Sequence, residues 1–402
     1  MFKGIIDTTF REGQQSPLLF DVYKYKFSLT EKKNLFKGLL ELGVRRFEFF
    51  SPIVSEEEAK HFRILKAFAE ELGFDNVLFF AHSRVRKEDV YRALEAGFDG
   101  INLYLNLGRL GKLSYSNSLK SLIKDAVFFI RNLRKKHPHL YLRFSSEDVF
   151  RADLGRIFFV YDQVYPYINT FGLPDTVGIA DPDTVRKVIK KFRKRYPKAD
   201  LEVHFHNDRG FSVINALEAV KAGTAYVNTT VWGIGERSGI TSITALLLNL
   251  YLENSEWVKD YNLSVCYPLN VVMASILGIQ VPYNDPVSLT NRTHIAGVHQ
   301  KAVLNERRVY EGIDLARFGV SKSGFLLGPL TGINLVYYFL KEIRGYKINR
   351  EDAREIVSEF RKSFDKYEIK DPEKVLMIIA DAKGFGRRNI PRHTEERRLE
   401  LL

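Results

Sequence analysis

Phe2-Lys3-Gly4-Ile5-Ile6-Asp7-Thr8-Thr9-Phe10-Arg11-Glu12-Gly13-Gln14-Gln15 stands at the start of the chain. Its apolar part reads as a strand. A carboxylate ends that strand, and a guanidinium, a second carboxylate and a glycine follow before any helix begins. Charges gathered at a strand end are costly unless something binds there. No Gly-rich nucleotide loop follows the strand, which argues against a doubly wound open sheet.

Seven more β-rich runs follow, at 46–50, 77–82, 100–104, 140–144, 168–172, 201–205 and 225–230. Between them lie segments such as 30–42 and 55–72, with apolar residues at helical spacing. Gly43, Gly73 and Gly97 stand where helix C-caps belong. Repeated βα units imply a parallel sheet. Eight of them before residue 250 match a (β/α)8 TIM barrel, typically about 250 residues long. The pattern then changes. The expected division is a catalytic barrel at 1–255, a loop-rich segment at 256–330, a helical subdomain at 331–385 and a charged tail at 386–402. The fold class is thus α/β, a TIM barrel followed by a mostly helical C-terminal region.

The chain has 402 residues, 45% apolar and 27% charged, which is ordinary for a globular enzyme. Its formal charge is +12. The basic residues of 131–136 and 186–195 alternate with apolar positions, which puts them on outer helix faces, so nucleic acid is not an expected partner. No apolar run is long enough for a bilayer and no signal-peptide pattern opens the chain, so no membrane partner is expected. The single cysteine, Cys266, makes the cytoplasm the default location.

The second informative stretch is Val203-His204-Phe205-His206-Asn207-Asp208. His204 and His206 stand two apart on a strand, so both point to one face, at the barrel mouth. With a carboxylate from the first strand they make a facial set of three metal ligands, leaving positions for substrate. Asp7 is the expected carboxylate, with Glu12 as an alternative ligand or a supporting group, and Asn228 as a further candidate. The nitrogen and oxygen donors suit Zn, Mn or Co, with Mg a further option.

Together, Asp7 to Gln15, His204 to Gly210 and Gly233-Ile234-Gly235-Glu236-Arg237-Ser238-Gly239 resemble the hallmarks of a family of barrel enzymes. It joins acetyl-CoA to 2-oxo acids and contains the isopropylmalate, citramalate and homocitrate synthases and the hydroxymethylglutaryl-CoA lyases. Arg143 to Arg151, Asp175-Thr176-Val177-Gly178 and Gly239-Ile240-Thr241 are similar to the homocitrate synthase branch. His294 to Ala302 and Pro329-Leu330-Thr331-Gly332 also have counterparts. The chain departs from the family at Asn102, where a carboxylate is common, at Arg209 and Ser238, in the loop 106–118, and in the aromatic run Phe49-Phe50-Ser51-Pro52.

The resemblance implies an acyltransferase that condenses acetyl-CoA with a 2-oxo acid at a divalent metal (Zn, Mn or Mg). Arg11 is expected to stabilise the oxyanion, with Glu12 in support. The resemblance assigns the base machinery to His299 and Tyr310, helped by Glu147. It also implies a domain-swapped homodimer whose C-terminal region completes the partner's active site. Arg143, a bidentate fork, is the expected receiver of a second carboxylate, with His82, Ser145 and Thr176 as further substrate-binding candidates. A dicarboxylic acid such as 2-oxoglutarate is thereby favoured. Citrate synthases of the Re type, isopropylmalate and citramalate synthases are the sibling readings. The lyases carry a catalytic cysteine in the loop after the eighth strand, and 233–239 has none. A non-enzymatic barrel would be expected to have lost Asp7, His204 and His206, and all three are present.

Overall fold

Eight strands carry the sheet: β1 (Gly4–Asp7), β2 (Arg46–Phe50), β3 (Leu78–Arg84), β4 (Gly100–Asn106), β5 (Tyr141–Glu147), β6 (Thr170–Asp175), β7 (Asp200–Phe205) and β8 (Tyr226–Thr229). The computed structural model describes residues 2–107 and 119–388. Neighbouring strands pair in parallel in sequence order. β8 closes on β1, from Gly4 opposite Tyr226 to Asp7 opposite Thr229. The expected TIM barrel is the fold found.

Local chemistry explains the units. In the helix Leu29–Leu42, Ser28 and Glu31 form a capping box, and Gly43 ends the helix at φ 114°. Its Leu35, Phe36, Leu39 and Leu40 are buried. The strand β2 alternates strictly. Phe47 and Phe49 face the helical layer, with Phe47 4.7 Å from Phe36 and Phe49 5.7 Å from Phe62. Arg46 and Glu48 therefore point to the barrel axis. At the base of the barrel the Arg46 guanidinium lies 4.6 Å from the Tyr226 ring and 5.2 Å from that of Tyr141. Gly100 starts β4 where a Cβ would stand 2.5 Å from the Tyr141 carbonyl oxygen, so no larger residue fits.

The chain divides into two compact units between Val281 and Pro282. The boundary expected at 255 is therefore too early. The segment after it packs on the barrel: the Tyr261 hydroxyl accepts from the Ile5 N–H at 2.9 Å, and the Asn262 N–H donates to Leu42 O at 2.8 Å. The helix Cys266–Leu277 then lies against Leu29–Leu42. A change from βα alternation to helix is not a domain boundary when the helix covers the same core.

The second unit has its own core, built by Leu335, Val336, Phe339, Phe360, Leu376 and Ala380. Its described helices include Gly297–Asn305, Ile333–Tyr338, Arg350–Lys366 and Pro372–Ala382, with a short parallel pair, Thr293–His294 and Gly324–Phe325. The expected break at 330 is not present, because Val303 belongs to that same core and the Gly297 N–H donates to Leu330 O. The expected tail lies outside the described residues from 389 onward, and the loop 106–118 from 108 onward. No helix among the described residues is long and apolar enough to cross a membrane.

Candidate active site

A cavity of about 380 Å³ opens at the C-terminal ends of the strands, where barrel enzymes carry their chemistry. Arg11, Glu12, His82, Ser145, Glu147 and Thr176 line it, as do His204 and His206.

The two histidines converge as their period-2 spacing requires. His204 Nε2 lies 3.3 Å from His206 Nε2, and Glu12 Oε1 lies 3.9 Å from the latter. One ligand atom of each residue falls within 4.8 Å of the others. Burial, then the neighbouring His206, takes the His204 imidazole down to about 3, and burial lowers His206 as well. Neutral imidazoles offer lone pairs. Burial pushes the Glu12 carboxyl up, but Arg11 and the histidines outweigh it and bring it to about 2. The tautomer of His204 follows from its neighbour. Asn228 donates through Nδ2 to Glu202 Oε1 at 3.0 Å, so its Oδ1 faces His204 Nδ1, 3.3 Å away. His204 Nδ1 therefore carries the proton, and Nε2 keeps the lone pair. Two imidazole nitrogens and one carboxylate oxygen suit a divalent cation in number, type and protonation.

Asp7 is not a member of this cluster, which corrects the expected ligand set. Its Oδ1 accepts from the Thr9 N–H at 3.0 Å and its Oδ2 from the Thr9 hydroxyl at 2.8 Å. Thr9 Oγ1 in turn accepts from the Val231 N–H. Asp7 thus fastens the turn after β1 to the exit of β8. Burial pushes its carboxyl up from 3.8 to about 7. The carboxylate that joins the histidines is Glu12, first residue of the short helix Glu12–Gln15. Its Oε1 also accepts from the Glu236 N–H at 3.1 Å.

Arg11 joins two parts of the site. Its Nη1 donates to Glu12 Oε2 at 2.7 Å, and its Nε lies 2.7 Å from Glu48 Oε1. Arg143 is set deeper than the other candidates. It is fully buried below the cavity and does not line it. Its Nε donates to Glu202 Oε2 at 2.7 Å, its Nη2 pairs with Glu202 Oε1, and its Nη1 lies 2.8 Å from Glu48 Oε2. The Phe80 ring covers the guanidinium at 4.8 Å. The Nε and Nη2 edge is thus taken up by Glu202, and Nη1 stands beside Glu48 without a hydrogen bond to it.

The remaining candidates sit as follows. Ser145 Oγ donates to Asn102 Oδ1 at 2.9 Å. Thr176 Oγ1 accepts from the Asp148 N–H at 2.9 Å, which leaves its hydroxyl hydrogen for the cavity. The Glu147 carboxyl is raised by burial. His82 stacks on Tyr104 with ring centres 4.4 Å apart. His299 and Tyr310 belong to the second unit, where their rings stack at 3.9 Å. Near them in sequence, Glu311 accepts from Arg292 at 2.6 Å and lies 3.2 Å from His294 Nε2.

Of the three single-residue departures, only Asn102 lines the cavity. Ser238 is exposed. Arg209 is exposed too, donating to Ile179 O and lying over the Phe211 ring. Glu48, Glu202 and Asn228 were not singled out as site residues, Asn228 having been weighed only as a metal ligand. Their signal is the same period-2 rule that found the histidines, since Glu202, His204 and His206 are successive positions of one face. Cys266 is buried.

The HMGL-like family model matches residues 3–271, and one described as homocitrate synthase post-HMGL domain-like matches 287–375. The mitochondrial homocitrate synthase of Schizosaccharomyces pombe is 33% identical over 83% of this chain and 77% of its own. The cytosolic isozyme of Saccharomyces cerevisiae is 30% identical over 90% of this chain and 82% of its own. Homocitrate synthase AksA of Methanothermobacter thermautotrophicus is 30% identical over 94% of each chain. Among solved structures, a hydroxymethylglutaryl-CoA lyase from Pseudomonas aeruginosa superposes with a TM-score of 0.56 at 17% identity. It covers 70% of this chain and 94% of that one, a likeness of fold. By both of its matched segments, this chain belongs to the homocitrate synthase family of HMGL-like barrel proteins.

Proposed function

We propose that the chain condenses acetyl-CoA with 2-oxoglutarate and water, giving homocitrate and free CoA. The observation that carries this reading is the convergence of Glu12, His204 and His206 in a strand-end cavity with Arg11 bonded to the same carboxylate. These three residues would hold a divalent cation (Zn, Mn or Mg), which when bound supplies Lewis-acid polarisation of a keto group.

The chain's own residues do the rest. The Arg11 guanidinium balances negative charge that builds on the keto oxygen as the new carbon–carbon bond forms. A proton leaves the acetyl methyl group to a base, assigned to His299 with Tyr310 and supported by Glu147, whose carboxyl is raised by burial. The distal carboxylate of the acid meets the Thr176 hydroxyl and the polar floor at Ser145. Hydrolysis of the thioester then releases CoA. A homodimer and a cytoplasmic location complete the reading. The first rests on the family resemblance and is tested by sedimentation velocity. The second rests on the single cysteine and is tested by cell fractionation.

The deciding experiment measures thiol release from acetyl-CoA with a panel of 2-oxo acids. 2-Oxoglutarate as best substrate supports the proposal, oxaloacetate moves it to the citrate-forming sibling, and no turnover with any acid rejects it. Glu12→Gln should lower divalent-metal affinity by roughly 10- to 100-fold or more, measured by metal titration. Unchanged affinity would remove Glu12 from the site.

A further inference from the structure

The barrel also has a cavity at its other end. It lies at the N-terminal ends of β1 and β2, measures about 610 Å³ against about 380 Å³ for the catalytic one, and is lined entirely by the first unit. One wall is the segment 254–261, which follows the helix Ile243–Glu253. That wall is fixed to the barrel. The Ile5 N–H donates to the Tyr261 hydroxyl at 2.9 Å, and the Asn262 N–H just beyond donates to Leu42 O at 2.8 Å. At Gly43, with φ +114°, a Cβ would stand 2.8 Å from the Asp260 carbonyl oxygen, so the two segments pass too closely for a larger residue.

Arg46, the first residue of β2, lines this cavity. Its guanidinium lies over the rings of Tyr226, Tyr141 and Phe80, at 4.6, 5.2 and 6.0 Å from their centres. Ring faces balance part of a cation's charge, but the N–H fork still calls for oxygen acceptors. Among the described residues the Arg46 side chain makes no ion pair or hydrogen bond, and its buried Nη1 has no partner. Arg143 shares the Phe80 ring, at 4.8 Å, and there Glu202 takes up the Nε and Nη2 edge. The guanidinium on the catalytic side has a protein carboxylate, and the one at the base has none.

The neighbouring charges do not supply it. Lys3 pairs with Asp200 at 2.8 Å, and Lys259 lies 3.5 Å from Glu256. Arg45 is bonded to neutral carbonyls, Leu40 O at 2.7 Å and Val44 O at 2.8 Å. Arg45 and Arg46 thus stand against the single carboxylate of Asp260, which leaves the lining with one positive charge in excess. Phe2 and Trp257 add apolar surface beside it.

We propose that the base of the barrel is a second binding site, which takes a small organic anion: a carboxylate or phosphate head pairs with Arg46, and an apolar body lies against Trp257 and Phe2. A guanidinium already held over aromatic rings gives up little freedom on pairing, and its fork matches two oxygens of either head group. The cavity has the size of a small-molecule site. It lies at the opposite strand ends from Glu12, His204 and His206, so it stands apart from the condensation proposed above.

The test is indole 15N NMR on the full chain labelled at tryptophan. There are two tryptophans, Trp232 and Trp257, and Trp257→Phe assigns them. The probes are phenylacetate, phenyl phosphate, acetate, inorganic phosphate and the cation phenethylamine. Phenylacetate, phenyl phosphate or both should shift the Trp257 N–H saturably and leave that of Trp232, after β8, unmoved. Tighter binding of phenylacetate assigns a carboxylate ligand, and tighter binding of phenyl phosphate a phosphate ester. Arg46→Gln should weaken this binding roughly tenfold or more. Arg46→Lys, which keeps the charge without the fork, should weaken it by a smaller factor and serves if the glutamine variant does not fold. A Trp257 signal that neither phenyl anion moves overturns the proposal, as does binding that the Arg46 variants leave unchanged. Phenethylamine binding as tightly as the anions would show a pocket without charge selection. Acetate or phosphate binding as tightly as its phenyl derivative would remove the organic body. Either result also overturns the proposal. Failure here leaves the condensation standing, because thiol release reads the other end of the barrel.

Discussion

At the scale of the residue, the turn after β1 separates two carboxylates that look equivalent in the sequence. Glu12 is ionised beside Arg11, whereas Asp7 is buried and bonded to Thr9. Burial raises the Asp7 carboxyl to about 7 from 3.8. The folded chain therefore holds this proton more tightly than the unfolded chain between about pH 4 and 7. Stability from this group is full below about 4 and is lost as pH rises through 7. The slope is at most about 1.4 kcal/mol per pH unit across that window. Asp7→Asn imitates the protonated form, so its stability relative to the parent should improve from pH 4 to pH 8. Urea unfolding at several pH values checks this, and a flat difference would refute it. The sequence could not rank Asp7 against Glu12, because both lie near the strand end and only the path of the turn decides which one reaches the histidines. The setting of Arg143 was hidden for a related reason. Its fork was legible, but Glu48 and Glu202, which flank it, sit on strands distant in sequence.

At the scale of the element, strands were legible because aromatic and β-branched runs recur between helical segments. β2 matches its expected run, 46–50, and the other strands differ by one to three residues at their ends. What periodicity did not reveal was the polar inner face, since Glu48 between Phe47 and Phe49 reads as one charge in an apolar strand. The loop after β8 makes a direct prediction. Gly239 has φ +80°, and a Cβ there would stand 2.0 Å from the Gly233 carbonyl oxygen. Gly239→Ala should cost more than ~1 kcal/mol, since neither the backbone angle nor the space suits alanine. It should also weaken metal binding, because this loop supplies the Glu236 N–H that holds Glu12. Metal titration beside urea unfolding tests both, and unimpaired metal affinity would show that the loop does not hold the ligand.

At the scale of the whole molecule, two cores explain two units, with the division at Val281 rather than in the loop-rich stretch read from sequence. Residues 1–281 alone should unfold cooperatively and retain divalent-metal affinity, while losing turnover with His299 and Tyr310 absent. Calorimetry and metal titration check the first part, and a broad, non-cooperative transition would count against an independent barrel. The salt-bridged interior of that barrel also shapes how the protein can change over generations. Glu48 pairs with Arg11 and Arg143, and Arg143 pairs with Glu202. Losing Arg143 strands Glu202, a penalty of roughly 3–5 kcal/mol, and losing Glu48 or Glu202 leaves Arg143 one carboxylate short. Ser145, Thr176 and Asn102 carry no charge and border the cavity. Acceptance of a new acid can therefore drift one neutral substitution at a time along the rim of the floor, while the charged layer beneath is inherited as a block.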